Sequence, residues 1–204
     1  MSEGPRIALT FDAEHPDRSG CPAGNADRIL DVLQSEAVRA TVFIQGRWAE
    51  AYPATAKRIA DDGHLIGHHS HYHARMPSLR DDGLASDVTL AQVAIEQITG
   101  VDPRPWFRCP FGEGHEDPRV LDGLTALGYR NIHWDIALED WEPWRTGPAI
   151  SADAISAVQA RDDGSVILLH TWPAGTADAL GPMIAGLREI GAAFVTVDQL
   201  EGAD

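Results

Sequence analysis

The chain has 204 residues with 44% hydrophobic and 23% charged side chains, an ordinary globular balance that excludes disorder and allows a sizeable core without staples. Its formal charge of −15, from 16 basic and 31 acidic side chains with the arginines dispersed, argues against nucleic acid and anionic membrane surfaces as partners. Two cysteines, Cys21 and Cys109, cannot build a disulfide framework, and no run has transmembrane length. The N-terminus lacks a basic segment followed by an apolar core, so a cytoplasmic location is expected; a chain whose leader had been removed would look the same.

In chain order, Ile7–Phe11 reads as a buried strand and residues 25–37 as a helix capped by Asn25. A strand over 40–44 precedes a helix over 48–61, and 64–67 is a short strand. A long helix over 78–99 stops at Gly100, a natural C-terminal residue for a helix. Strands are expected at 106–108 and 129–135, around a helix at 118–127. A helix at 152–161, a strand at 166–169, a helix at 177–190 and a strand at 193–197 complete the series. Roughly seven strand–helix units imply parallel strands with helical crossovers. With no dinucleotide glycine fingerprint after the first strand, the expected fold is α/β, a distorted (β/α) barrel of about seven strands in a single domain spanning 1–204. Chemistry in such barrels sits at the C-terminal strand ends, and Asp12, His69, Arg108, Asp135 and His170 each stand at or just past the end of an apolar run.

Five of the nine histidines fall within 64–73. His69 and His73 are four apart, so one helical turn would aim both imidazoles the same way, toward a divalent metal. An isolated pair at this spacing reads more simply as a solvated polar loop, so its meaning depends on its company. That company includes Asp12-Ala13-Glu14-His15 after the first strand, where a carboxylate could be a ligand, a base or a turn cap. Further on stand Arg108-Cys109-Pro110-Phe111-Gly112, then Asp140-Trp141, then Leu168-Leu169-His170.

Together, and in this order, these segments resemble the polysaccharide deacetylase family with the NodB homology domain (carbohydrate esterase family 4), from about residue 6 to residue 199. The resemblance implies a distorted (β/α) barrel and a metal-dependent hydrolase that removes an N-acetyl group from an N-acetylated sugar, oligosaccharide or related small molecule. It implies Asp12 as the base that takes a proton from the attacking water, and His69 and His73 as metal ligands. It makes Arg108 the residue that orients the base, Asp140 the partner of the acid, and His170 the acid that protonates the leaving amine. Phe111 stands where a tyrosine is usual, its backbone N–H helping to hold the oxyanion; Trp141 walls the groove and Leu168 lines the acetyl pocket. Trp172, just after His170, is the best candidate among the tryptophans for an aromatic that faces substrate.

One departure from the family pattern concerns the metal. The usual second aspartate of the first motif is replaced by Ala13, which cannot coordinate, so Glu14 is expected as the carboxylate ligand, with His15 and Asp17 as fallbacks. Zinc ranks first as the single divalent ion, with cobalt or nickel as alternatives. His68 replaces a common asparagine and is read as a substrate contact or a neutral substitution. His71 and Tyr72 are expected exposed, and Cys109 buried and inert. Competing functions are hydrolysis of another C–N bond, as in a cyclic ureide or imide, an O-acetyl esterase, and a non-catalytic carbohydrate-binding barrel. No protein partner is inferable.

Overall fold

The computed structural model describes residues 4–15, 24–161 and 163–201. In chain order these form β1 (Arg6–Ala13), α1 (Asn25–Ser35), β2 (Thr41–Ile44), α2 (Gly46–Ala51), α3 (Pro53–Asp61), β3 (Leu65–His68), α4 (Asp81–Thr99), β4 (Trp106–Phe107), α5 (Pro118–Ala126), β5 (Arg130–Asn131), β6 (Ile136–Ala137), α6 (Gly147–Gln159), β7 (Ser165–His170), α7 (Ala174–Glu189), β8 (Ala193–Phe194) and α8 (Val197–Glu201). The expected α/β class of parallel strand–helix units holds, with eight strands among the described residues against about seven expected. None of the described helices is long and apolar enough to cross a membrane.

The chain divides into two compact units, and neither is a continuous stretch. Among the described residues, one unit holds 12–15 and 42–133. Its strands run in the order β5-β4-β3-β2, with His68 in register with Phe107, and Phe107 with Asn131. All four residues of β2 are buried, as in a parallel sheet covered on both faces. Met76, Leu84, Val88, Phe107, Cys109, Val120, Leu124 and Tyr129 form an apolar cluster. The hydrogen-bond ladder continues past the strand ends. Gln45 N–H donates to the Ala13 carbonyl (3.0 Å), His69 N–H to Ile44 (2.9 Å) and Arg108 N–H to His68 (2.9 Å). This continuation aligns the residues that follow β1, β2, β3 and β4 in one row.

The other unit holds, among the described residues, 4–11, 24–41, 134–161 and 163–201. Its strands run β1-β7-β6, with β8 also on β1. Arg6 pairs with Ala193 and Ala137 with Leu168, both in parallel register. The buried Thr10 hydroxyl donates to the Ile167 carbonyl at 2.6 Å. Helix α7 packs against α1 and α6.

Several element boundaries differ from expectation for identifiable reasons. The helix expected over 48–61 is two helices, because Pro53 lacks an N–H and drives Tyr52 to φ −127°, ψ 56°, off the helical region. The strand expected over 129–135 ends at Asn131, and Asp135 precedes β6 rather than ending a strand. There its carboxylate accepts from Val166 N–H (2.8 Å) and Arg161 (3.0 Å), a surface role. Helix α6 begins five residues early at Gly147, because the Thr146 hydroxyl accepts from Ala149 N–H and Pro148 occupies the first turn. Asn25 does not cap α1. Gly24, in a left-handed conformation, takes that place, while the buried Asn25 amide donates to the Thr171 and Pro173 carbonyls, both at 2.9 Å.

Candidate metal site and acid–base pairs

Arg108 is fully buried, and three features hold its guanidinium. Nη1 donates to Asp12 Oδ1 at 2.9 Å, Nε donates to the Ile132 carbonyl at 3.2 Å, and the plane lies 4.1 Å from the centre of the Phe43 ring. Burial pulls the guanidinium pKa below its usual value and the Asp12 charge opposes that pull. The two charges together make a neutral pair at the end of β1. Asp12 turns its other oxygen, Oδ2, to within 3.5 Å of His69 Nε2.

His69 follows β3 directly. Its Nδ1–H donates to the Arg108 carbonyl at 2.9 Å, which selects the tautomer and leaves Nε2 as the ligating atom. Nε2 lies 3.2 Å from Glu14 Oε2. Burial alone would lower the His69 pKa, but Asp12 and Glu14 outweigh it and hold it above the usual value.

His73 reaches the same oxygen: its Nε2 contacts Glu14 Oε2 directly. Burial lowers its pKa against the pull of Glu14, which favours the neutral imidazole that ligates metals. The single helical turn expected between His69 and His73 is absent. A loop joins them, with left-handed backbone at Ser70 (φ 63°) and His73 (φ 57°). Two observations explain its shape. The buried Asp87 carboxylate of α4 accepts from His71 N–H (2.9 Å) and Tyr72 N–H (3.1 Å), and Gly46 N–H donates to the Ser70 carbonyl (2.9 Å). The rings of His69 and His73 end 5.0 Å apart.

Among the described residues, Glu14, His69 and His73 form a group of ligand-type residues whose donor atoms all lie within 4.8 Å of one another. Two imidazoles and one carboxylate, with one histidine already fixed by a backbone carbonyl, fit a divalent ion such as zinc. Ala13 is fully buried in β1 and contributes no donor. Of the fallback ligands, His15 sits beside Glu14 but outside this group, and Asp17 lies outside the described residues, as does Cys21.

Phe111 follows in a left-handed conformation (φ 58°) and is 51% exposed. Its ring lies edge-on to His73 at 4.4 Å and 4.2 Å from the Arg75 guanidinium, so an open apolar face stands beside a predicted ligand.

The second polar constellation is in the other unit. Asp140 is buried, and His170 Nδ1–H donates to its Oδ1 at 2.7 Å while the His170 backbone N–H donates to Oδ2 at 2.8 Å. The Thr176 hydroxyl, in the first turn of α7, donates to Oδ2 at 2.5 Å. This carboxylate therefore accepts three hydrogen bonds, one of them from the His170 ring. The Trp141 ring stands edge-on to His170 at 5.3 Å and Trp172 lies tilted at 5.9 Å; both are partly buried. Leu168 is buried in β7, two residues before His170. Trp144 is 71% exposed.

Other sequence expectations change. His68 is a buried structural residue rather than a substrate contact. It is fully buried, accepts from Ser70 N–H at Nδ1 (3.0 Å), donates from Nε2 to the Val88 carbonyl (2.9 Å) and stacks on Phe107; burial drops its pKa to about 4. His71 is buried rather than exposed, because Asp87 draws its backbone inward; Tyr72 is exposed as expected. Cys109 is buried, and burial raises its thiol to about 12, as an inert thiol requires. Sequence reading missed Asp87 and Thr176. Asp87 left a signal, an acid within the buried stripe Leu84, Val88, Ala91 and Ile95 of α4; Thr176 left none.

Comparison with known proteins identifies the family. A family model described as Polysaccharide deacetylase matches residues 2–132. Over 200 residues the chain is 32% identical to the peptidoglycan-N-acetylglucosamine deacetylase of Bacillus cereus, covering 95% of this chain and 67% of that protein. Over 195 residues it is 30% identical to the peptidoglycan-N-acetylmuramic acid deacetylase PdaA of Bacillus subtilis, covering 95% and 70%. It is also similar to the crystal structure of the Bc1960 peptidoglycan N-acetylglucosamine deacetylase in complex with 4-naphthalen-1-yl-N-oxidanyl-benzamide, with a TM-score of 0.84 at 29% identity over 97% of this chain and 90% of that one. This chain belongs to the polysaccharide deacetylase family.

Proposed function

We propose that this chain is a divalent-metal-dependent deacetylase that hydrolyses the N-acetyl amide of an N-acetylated sugar or oligosaccharide. The observation that carries the proposal is the convergence of Glu14 Oε2, His69 Nε2 and His73 Nε2 beside a buried, arginine-paired Asp12. The substrate class is supported by the relatives, whose names place their action on N-acetylglucosamine and N-acetylmuramic acid of peptidoglycan.

Glu14, His69 and His73 would hold the ion, zinc ranking first and cobalt or nickel suiting the same donors. A bound divalent ion supplies Lewis acidity, lowering the pKa of water from ~15.7 to roughly 7 and polarising the carbonyl. Asp12 accepts a proton from the attacking water, and Arg108, donating to its Oδ1, aims that carboxylate. The water oxygen bonds to the acyl carbon, and the Phe111 backbone N–H helps hold the carbonyl oxygen as it gains charge. His170, fixed through Nδ1 by Asp140, donates a proton to the nitrogen as the C–N bond breaks, giving acetate and a free amine. Trp141 and Trp172 offer apolar faces for the sugar's C–H surface, and Leu168 bounds the acetyl methyl.

The test is acetate release from N-acetylglucosamine oligomers by the purified chain with Zn²⁺ or Co²⁺. The proposal expects turnover, loss of turnover on chelation, and a fall of about 10²–10⁴-fold in Asp12→Asn and in His170→Ala. Metal-dependent release from O-acetyl esters alone, or opening of cyclic ureides alone, would overturn the amide assignment.

A further inference from the structure

We infer that His15 is a positioning residue for the carboxylate ligand: its Nε2–H holds Glu14 Oε1, so that Glu14 presents a divalent ion with the single oxygen Oε2. The inference rests on the metal site proposed above and concerns how this chain manages without a carboxylate at Ala13.

The two oxygens of Glu14 are divided between different partners. Oε2 faces His69 Nε2 at 3.2 Å and touches His73 Nε2, whereas Oε1 lies 3.0 Å from His15 Nε2. His15 is itself held in place. Its backbone takes a left-handed conformation (φ 57°), which turns the chain back just after Glu14, and its N–H donates to Gln45 Oε1 at 3.1 Å. Gln45 is buried and tied to the end of β1 through its own N–H on the Ala13 carbonyl. The His15 ring also stands edge-on to His73 at 4.7 Å, so one side chain braces the carboxylate ligand and borders a histidine ligand.

Glutamate has one more rotatable bond than aspartate, so an unbraced Glu14 can swing away or close on an ion through both oxygens. A hydrogen bond to Oε1 removes both freedoms before the ion arrives, which lowers the ordering cost of binding. The His15 side chain is 29% exposed, so its removal leaves no large buried void.

The experiment uses the full chain as wild type, His15→Ala and His15→Gln. Zinc affinity is read by competition with a chromophoric chelator, Co²⁺ coordination by visible absorption, and folding by thermal melting. One ion is expected in every case, with His15→Ala about 10–100-fold weaker. Its Co²⁺ bands should weaken as Glu14 closes through both oxygens, while melting of the metal-free chain stays unchanged. His15→Gln, whose amide N–H can reach Oε1, should recover most of the affinity and the wild-type spectrum. Wild-type affinity and spectrum in His15→Ala would overturn the inference. So would equal losses in both variants with a nitrogen donor missing from the spectrum, which would make His15 a ligand. Failure of the wild type to bind either ion would sink the metal reading itself, and this inference with it, before any variant is compared.

Discussion

At the scale of single residues, the Asp12–Arg108 pair is an ion pair taken almost wholly out of water. Both side chains are buried, and each neutralises the other. Arg108→Met strips the partner from a buried carboxylate, so urea unfolding at pH 7 should show a loss of about 3–5 kcal/mol, part of it recovered in the double variant with Asp12→Asn. Cys109 makes the opposite kind of prediction. A thiol raised to about 12 carries almost no thiolate at pH 8, because a raised pKa favours the protonated form. With Cys21 changed to Ser, the native chain should resist a thiol-specific disulfide reagent at pH 8 and react fully once unfolded in urea. Asp12 and His69 were legible in the sequence because each stands at the end of an apolar run, and His73 because it lies four residues from His69. The tether of His15 to Glu14, and that of Thr176 to Asp140, were not, since a single hydroxyl or imidazole in a polar stretch carries no period or spacing.

At the scale of elements, the loop from His69 to His73 owes its shape to α4. Asp87 takes two backbone N–H groups of that loop on its two carboxylate oxygens while facing inward among apolar neighbours. Asp87→Ala removes the acceptor of both N–H groups, the one on His71 buried, at about 1.5–3 kcal/mol for hydrogen bonds to a charged group. Both chemical stability and zinc affinity should therefore fall, whereas an exposed α4 change such as Leu90→Ala should alter neither. Element existence was readable from periodicity and punctuation: Gly100 ends α4 in the left-handed conformation expected of it, at φ 75°. Errors arose where tertiary contacts overrode local preference. Asn25 was a good cap in sequence, yet carbonyls before α7 claim its amide. The histidine spacing suggested a helical turn, yet Asp87 and Gly46 hold a loop.

At the scale of the whole molecule, alternation of strand and helix announced the α/β class, and parallel register bears it out. The division of the chain was hidden, because residues 12–15 belong with 42–133 while Asp140 and His170 belong with the first and last stretches. Each unit carries its own polar constellation, a three-donor group with a buried, arginine-paired carboxylate in one and a buttressed Asp–His pair in the other. The family places such a chain among deacetylases, but Ala13 offers no carboxylate beside Asp12, so the account depends on Glu14. Zinc-edge anomalous diffraction from crystals grown with Zn²⁺ tests this directly. The account predicts one peak about 2.0–2.2 Å from Glu14 Oε2, His69 Nε2 and His73 Nε2. A zinc ion bound without Glu14, or no peak at this group at saturating zinc, would contradict it.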